Sequence, residues 1–139
     1  MSPPLSDLHH AHCFAADIDA SIGWWRRMLG AEVAWDGTLA GARNVFLRVG
    51  AGRLHLYDQP PRDTGRGGIH HLGIRTDDLE QLVAHMAGAG AVFRTAIRDA
   101  GVFRYAMIEA PDGVLLELFQ FEAGSLPPEL AAYLDDETG

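Results

Sequence analysis

The stretch His10-Ala-His-Cys-Phe-Ala-Ala-Asp17-Ile-Asp19 is answered further along the chain by His71-Leu-Gly-Ile-Arg-Thr-Asp-Asp78-Leu-Glu80. Both open on His, place Asp seven residues later, and follow it with an apolar residue and an acid, at an offset of 61 residues. A second block keeps nearly the same spacing: Leu54-His55-Leu56-Tyr57-Asp58 matches Leu116-Glu117-Leu118-Phe119-Gln120 at an offset of 62. Two blocks at one offset read as an internal repeat, and a repeat governs the whole fold. The segment Gln59-Pro60-Pro61-Arg62-Asp63-Thr64-Gly65-Arg66-Gly67-Gly68 between them is rich in turn formers and reads as a linker.

Each copy has the same grammar. Residues 8–15 alternate, with His10, His12 and Phe14 on one face and Ala11, Cys13 and Ala15 on the other, the period of a strand. Asp17 or Asp19 then caps a helix whose apolar stripe is Ile22, Trp25, Met28 and Leu29, and Gly30 ends it. In the second copy Asp77 or Asp78 is the cap, Leu79, Leu82, Val83 and Met86 form the stripe, and Gly88 or Gly90 ends the helix. Three strands are expected after each helix, at 31–36, 43–49 and 53–58, then at 91–95, 103–109 and 114–121. Asp36-Gly37, Gly50-Ala51-Gly52 and Pro111-Asp112-Gly113 supply turns. The expected fold class is α+β. Two βαβββ modules, 7–58 and 69–122, flank the linker 59–68 and form a cupped, eight-stranded mixed sheet. A tail at 123–139 carries one short helix over 128–134.

Composition bounds the function. With 47% apolar and 22% charged residues, the 139-residue chain can bury a core. No apolar run approaches the roughly 20 residues of a membrane span, and the start lacks the pattern of a signal peptide, so a cytoplasmic protein is expected. The 11 basic residues face 19 acidic ones, a net charge of −8 that repels phosphate backbones and argues against nucleic acid. Cys13 is alone, which excludes an intrachain disulfide and a multi-cysteine zinc cluster.

Strand parity then assigns the polar residues. Leu54 and Leu56 match Leu116 and Leu118 as core positions, which sends His55 and Glu117 to the opposite, concave face with His10 and His71. His10, His55, His71 and Glu117 therefore occupy equivalent first and last strands, and an approximate two-fold relation brings them around one point. Burying four titratable groups without a partner is costly, and a divalent cation removes that cost. His9 and His70 have the opposite parity and His85 falls in a helix, so all three read as structural. Of Arg104 and Tyr105, adjacent in a strand, one faces the cup and the alternation does not choose between them.

The pattern His10…Asp17-Ile18-Asp19…Met28-Leu29-Gly30, with the closing Ala110-Pro111-Asp112-Gly113-Val114-Leu115-Leu116-Glu117-Leu118, resembles the vicinal oxygen chelate superfamily. That superfamily includes glyoxalase I, bleomycin-resistance proteins, extradiol dioxygenases, methylmalonyl-CoA epimerase and fosfomycin-resistance enzymes. The resemblance covers about residues 8–121 and implies the glyoxalase-like fold, a homodimer, and metal ligation by His10, His55, His71 and Glu117. His55 is the departure, since glyoxalase I and the epimerase carry Glu or Gln there and extradiol enzymes use only the other three positions. Three imidazoles and a carboxylate favour a transition metal (Zn, Ni, Fe, Co or Mn) over Mg or Ca.

The chemistry implied is Lewis-acid lyase or isomerase activity on a small substrate with vicinal oxygens. The alternatives are a non-haem Fe(II) dioxygenase and a metal-free drug- or metabolite-binding resistance protein. His12, two residues from His10 on the same face, is the candidate base, about 6.5–7 Å along the strand. Tyr57 is a candidate donor to a substrate oxygen, and Glu117 is both ligand and catalytic carboxylate. Phe14, Phe119 and Phe121 favour a small, partly apolar ligand.

Overall fold

The computed structural model describes residues 9–39, 41–61, 69–101, 103–122, 124 and 127–128. The chain divides into two compact units after Pro61. Most of the expected helix at 128–134, and most of the linker, lie outside the described residues.

The first unit runs β1 (Ala11–Phe14), α1 (Ile18–Leu29), β2 (Glu32–Leu39), β3 (Ala42–Val49) and β4 (Gly52–Tyr57). The second runs β5 (Leu72–Arg75), α2 (Leu79–Gly88), β6 (Arg98–Asp99), β7 (Phe103–Ala110) and β8 (Val114–Phe121), with a single 3-10 turn at Pro111–Gly113. Each unit forms one four-stranded mixed sheet, in the orders β1-β4-β3-β2 and β5-β8-β7-β6. The repeat is exact in register as well as in order. Ala11 pairs with Leu54 in the parallel β1–β4 ladder, and Leu72 with Leu116 in β5–β8, the positions matched by the two sequence blocks. No helix among the described residues is long and apolar enough to cross a membrane.

Asp17 and Asp78 are the helix caps. Asp17 accepts a hydrogen bond from the Ala20 amide and Asp78 from the Gln81 amide, each at 3.1 Å. Gly30 closes α1 in the left-handed conformation at φ 66°, where L side chains are strained. The face of α1 turned to the core holds Ile18, Ser21, Trp25 and Met28, while the expected Ile22 and Leu29 are half-buried at its margins. Val45, Leu47, Leu54 and Leu56 supply the sheet side of this core; Ala106, Ile108, Leu116 and Leu118 do so in the second unit, with Leu79 and Met86 of α2. Full burial of each such aliphatic side chain contributes about 1.5–3 kcal/mol.

The acid after each cap has a second purpose. Arg43 of β3 reaches Asp19 of α1 at 3.0 Å, and Arg104 of β7 reaches Glu80 of α2. Both pairs span 24 residues, and both members of one sit 61 residues from their counterparts. Arg43 shares its strand face with Val45 and Leu47, so the pair fixes which sheet face the helix covers. Arg43 also makes a two-pronged contact with Asp36 of β2, at 3.0 and 2.9 Å. The guanidinium holds the Asp36 carboxyl below its usual range, and the carboxylates raise the arginine.

Three expectations need correction. Asp36-Gly37 is not a turn but lies inside β2, because Asp36 is bound to Arg43 across the ladder and the Trp35 indole lies over Gly37. A Cβ at Gly37 would come within 2.5 Å of that ring, so only glycine admits the indole. The reversal falls instead beside Gly41, at φ 80°, where Leu39 pairs with Ala42. Residues 91–95 form no strand: Phe93 makes one bridge to Ile108, Arg94 pairs with Glu109 at 2.8 Å, and the short ladder begins only at Arg98. The first strand occupies 11–14 rather than 8–15, leaving His9 and His10 outside it.

Asp17→Ala is expected to lower the unfolding free energy by about 1 kcal/mol through loss of the cap, and Asp78→Ala to do the same. Asp19→Ala, which loses only an exposed ion pair, should cost less than Asp17→Ala. Urea unfolding of the three variants checks this order.

Candidate metal centre

On the sheet face away from α1, β1 and β4 place His12 beside His55 and Phe14 beside Tyr57. The neighbour of His55 on the other side is Phe46 of β3. The His55 ring is sandwiched, with the His10 ring stacked at 3.7 Å and the Phe46 ring at 3.8 Å between centroids, both within 16° of parallel. That sandwich leaves His55 only 9% exposed. His9 and His12 stand edge-on to it at 6.3 and 6.0 Å. His9, His10 and His55 each offer a ring nitrogen, and the three atoms lie within 4.8 Å of one another.

Burial and neighbouring imidazoles act on two of these rings. The His55 imidazole is pushed down to about 4, first by its burial and then by His10, His12, His9 and Arg53. The more exposed His12 is lowered as well, by the covered part of its ring and by His10. At neutral pH His55 is therefore an uncharged imidazole with a lone pair, the form a metal requires. Tyr57 lies next along the face, its ring 5.7 Å from His12, and its Oη accepts a hydrogen bond from Gln59 Nε2 at 3.1 Å.

The second unit repeats the frame with other side chains. Gly73 stands beside Glu117, where the first unit has His12 beside His55. His71 Nε2 lies 3.8 Å from Glu117 Oε1, both groups partly buried. That distance is too long for a hydrogen bond, and a small approach of the two groups would let both reach one ion. The predicted donors thus come together pairwise within the units, His10 with His55 and His71 with Glu117, and their chemistry fits a divalent transition metal. Arg104 is drawn to α2 by Glu80, so its neighbour Tyr105 shares the Glu117 face, opposite Phe119.

Sequence parity missed three participants. His9 and His70 precede their strands, so alternation does not govern them; His9 Nδ1 lies 3.0 Å from His10 Nδ1 and His70 Nδ1 lies 2.8 Å from His71 Nδ1. Phe46, the second ring of the His55 sandwich, was legible only through its partner across the β3–β4 ladder. His85 is exposed in the last turn of α2, away from these groups in sequence and in role.

The folded metal-free protein refuses a proton that the unfolded chain accepts at His55 between about pH 6.5 and 4. Stability contributed by this group is complete above 6.5 and declines as pH falls through that window. His55→Phe, which keeps a flat ring between His10 and Phe46, should flatten the fall of melting temperature with acid. Thermal unfolding in chelator across that range is the measurement.

Comparison with known proteins places this geometry in context. The family pattern of the Glyoxalase/Bleomycin resistance protein/Dioxygenase superfamily matches residues 7–118. The uncharacterized protein YaeR of Escherichia coli K12 is 26% identical over 130 residues, covering 84% of this chain and 97% of its own. A glyoxylase/bleomycin resistance protein/dioxygenase domain from Frankia superposes with a TM-score of 0.72 at 22% identity, covering 86% of this chain and 95% of its own. A mutant of the fosfomycin resistance protein FosX from Listeria monocytogenes, solved with Mn(II) and 1S,2S-dihydroxypropylphosphonic acid, gives a TM-score of 0.73 at 14% identity, covering 87% of this chain and 96% of its own. With the paired βαβββ units and a family match over most of its length, the chain belongs to the glyoxalase/bleomycin resistance protein/dioxygenase superfamily.

Proposed function

We propose that the protein is a divalent-metal-dependent lyase or isomerase of glyoxalase type, acting on a small substrate with vicinal oxygens. The observation that carries this reading is the pairing of donors at equivalent places in both units, His10 with His55 and His71 with Glu117. FosX, which shares the fold, holds Mn(II) together with a vicinal diol, and this supports the substrate class. When bound, the ion supplies Lewis acidity toward two adjacent substrate oxygens.

The remaining chemistry falls to the chain. His10, His55, His71 and Glu117 are the residues that would hold the ion. His12 is uncharged at neutral pH because its pKa is lowered, so it can accept a substrate proton. Tyr57 Oη, accepting from Gln59, keeps its own proton for a substrate oxygen. Phe46 and Trp35, with rings 5.1 Å apart, give this face an apolar lining that suits a small, partly apolar molecule.

Protein purified without chelators is expected to carry about one transition-metal ion per chain. His71→Ala and Glu117→Ala should lose most of it, while His85→Ala keeps it. His55→Ala should weaken metal affinity markedly. A His55→Ala titration matching the unsubstituted protein, with oxygen uptake on adding Fe(II) and a catechol, would replace this reading by the dioxygenase one. Absence of metal from the unsubstituted protein would replace it by the metal-free binding one.

A further inference from the structure

Each unit carries a histidine that the metal-dependent reading leaves idle. His9 and His70 precede the ligands His10 and His71, and both make the same contact. The Nδ1 atoms of the pair face each other at 3.0 Å in the first unit and 2.8 Å in the second. The ring centroids are 5.3 and 5.1 Å apart, and the planes cross at 88° and 84°. Two sequence-separated segments thus adopt one geometry.

A neutral imidazole has one N–H and one bare nitrogen. Two Nδ1 atoms at hydrogen-bond distance must therefore belong to complementary tautomers, one ring protonated at Nδ1 and the other at Nε2. Only the ring protonated at Nδ1 keeps a lone pair at Nε2. In the second unit the direction follows from the metal reading: His71 Nε2 is the atom that faces Glu117 Oε1, and an ion shared by the two requires a lone pair there. His71 must then donate from Nδ1, and His70 must accept. The repeat assigns the same direction to His10 and His9.

We infer that His9 and His70 are positioning residues that accept at Nδ1 from His10 and His71, fixing each neighbour in the tautomer whose Nε2 lone pair is free for a metal ion. This rests on the metal-dependent reading and extends it. Ligating imidazoles characteristically donate their second nitrogen to a fixed acceptor, and losing that acceptor weakens metal affinity about 10–100-fold. Here the acceptor is the preceding residue, so ligand and support arrive on one piece of backbone.

The test pairs two substitutions with a tautomer measurement on the full chain. His70→Leu removes the acceptor, while His70→Asn sets an amide oxygen near the place of Nδ1. Co(II) titration followed by visible absorption should show His70→Leu weakened about 10–100-fold and His70→Asn close to the unsubstituted protein; His9→Leu and His9→Asn should follow suit. Long-range proton–nitrogen NMR of the metal-free protein, well above the histidine titration range, should find His71 protonated at Nδ1. Unchanged Co(II) affinity in His70→Leu overturns the inference, as does a His70→Asn variant as weak as His70→Leu, which marks direct ligation. Protonation of His71 at Nε2 overturns it as well. If the unsubstituted protein takes up no Co(II), the metal reading fails, and the tautomer measurement alone then decides the arrangement of the pairs.

Discussion

In each unit a four-residue opening strand runs parallel to the closing strand, Ala11–Phe14 beside β4 and Leu72–Arg75 beside β8. His55 and Glu117 take their places from that register, and His10 and His71 stand just before it. Parallel neighbours need a crossover of a dozen residues or more, and the helix with its two following strands supplies it. The ladder is short, but one face of both strands is committed to the core, so a slip of one residue would turn Leu54, Leu56, Leu116 and Leu118 outward. Burial of those leucines therefore determines which way His55 and Glu117 point. The site is held by the core behind it.

Much of this was legible in the sequence because it follows from period and offset. The repeat predicts the element order, and alternation in 54–57 and 116–119 separates leucines from donors. Alternation fails where the backbone is not a strand. His9 and His10 precede β1, and His70 and His71 precede β5, so a rule of opposite faces set apart two histidine pairs that the structure joins. Asp36-Gly37 misled for a related reason. It has the composition of a turn, yet a cross-strand arginine and an indole over the glycine hold it extended. Such contacts between distant residues leave no mark on local composition. Arg43 and Arg104 do share the repeat offset, and this would have revealed both ion pairs had basic residues been aligned along with acids and histidines.

The two units agree closely on the helix side and diverge on the other. Behind the sheet, Asp17 and Asp78 cap their helices alike, and Asp19–Arg43 has its counterpart in Glu80–Arg104. In front, His55 is replaced by Glu117, His12 by Gly73 and Phe46 by Met107. The division follows from what each face must satisfy. Helix and sheet must pack in both copies, so the same volumes and ion pairs serve twice. The donor faces have no such obligation to each other and can differ in charge.

That difference has a chemical consequence. In the first unit the proposed donors are imidazoles, of which His55 is kept neutral by burial and by its neighbours, whereas in the second they include the carboxylate of Glu117. With His10, His55, His71 and Glu117 as ligands, a divalent ion would retain a net charge of about +1, whereas two carboxylates would neutralise it. On the proposed reading, such a charge beside the apolar rings of Phe46 and Trp35 would pull more strongly on a developing oxyanion. The same exchange removes a carboxylate that could have served as base. On that reading proton transfer would fall to a neutral imidazole, and His12 is the one that β1 sets beside His55, at the position where the second unit has only glycine.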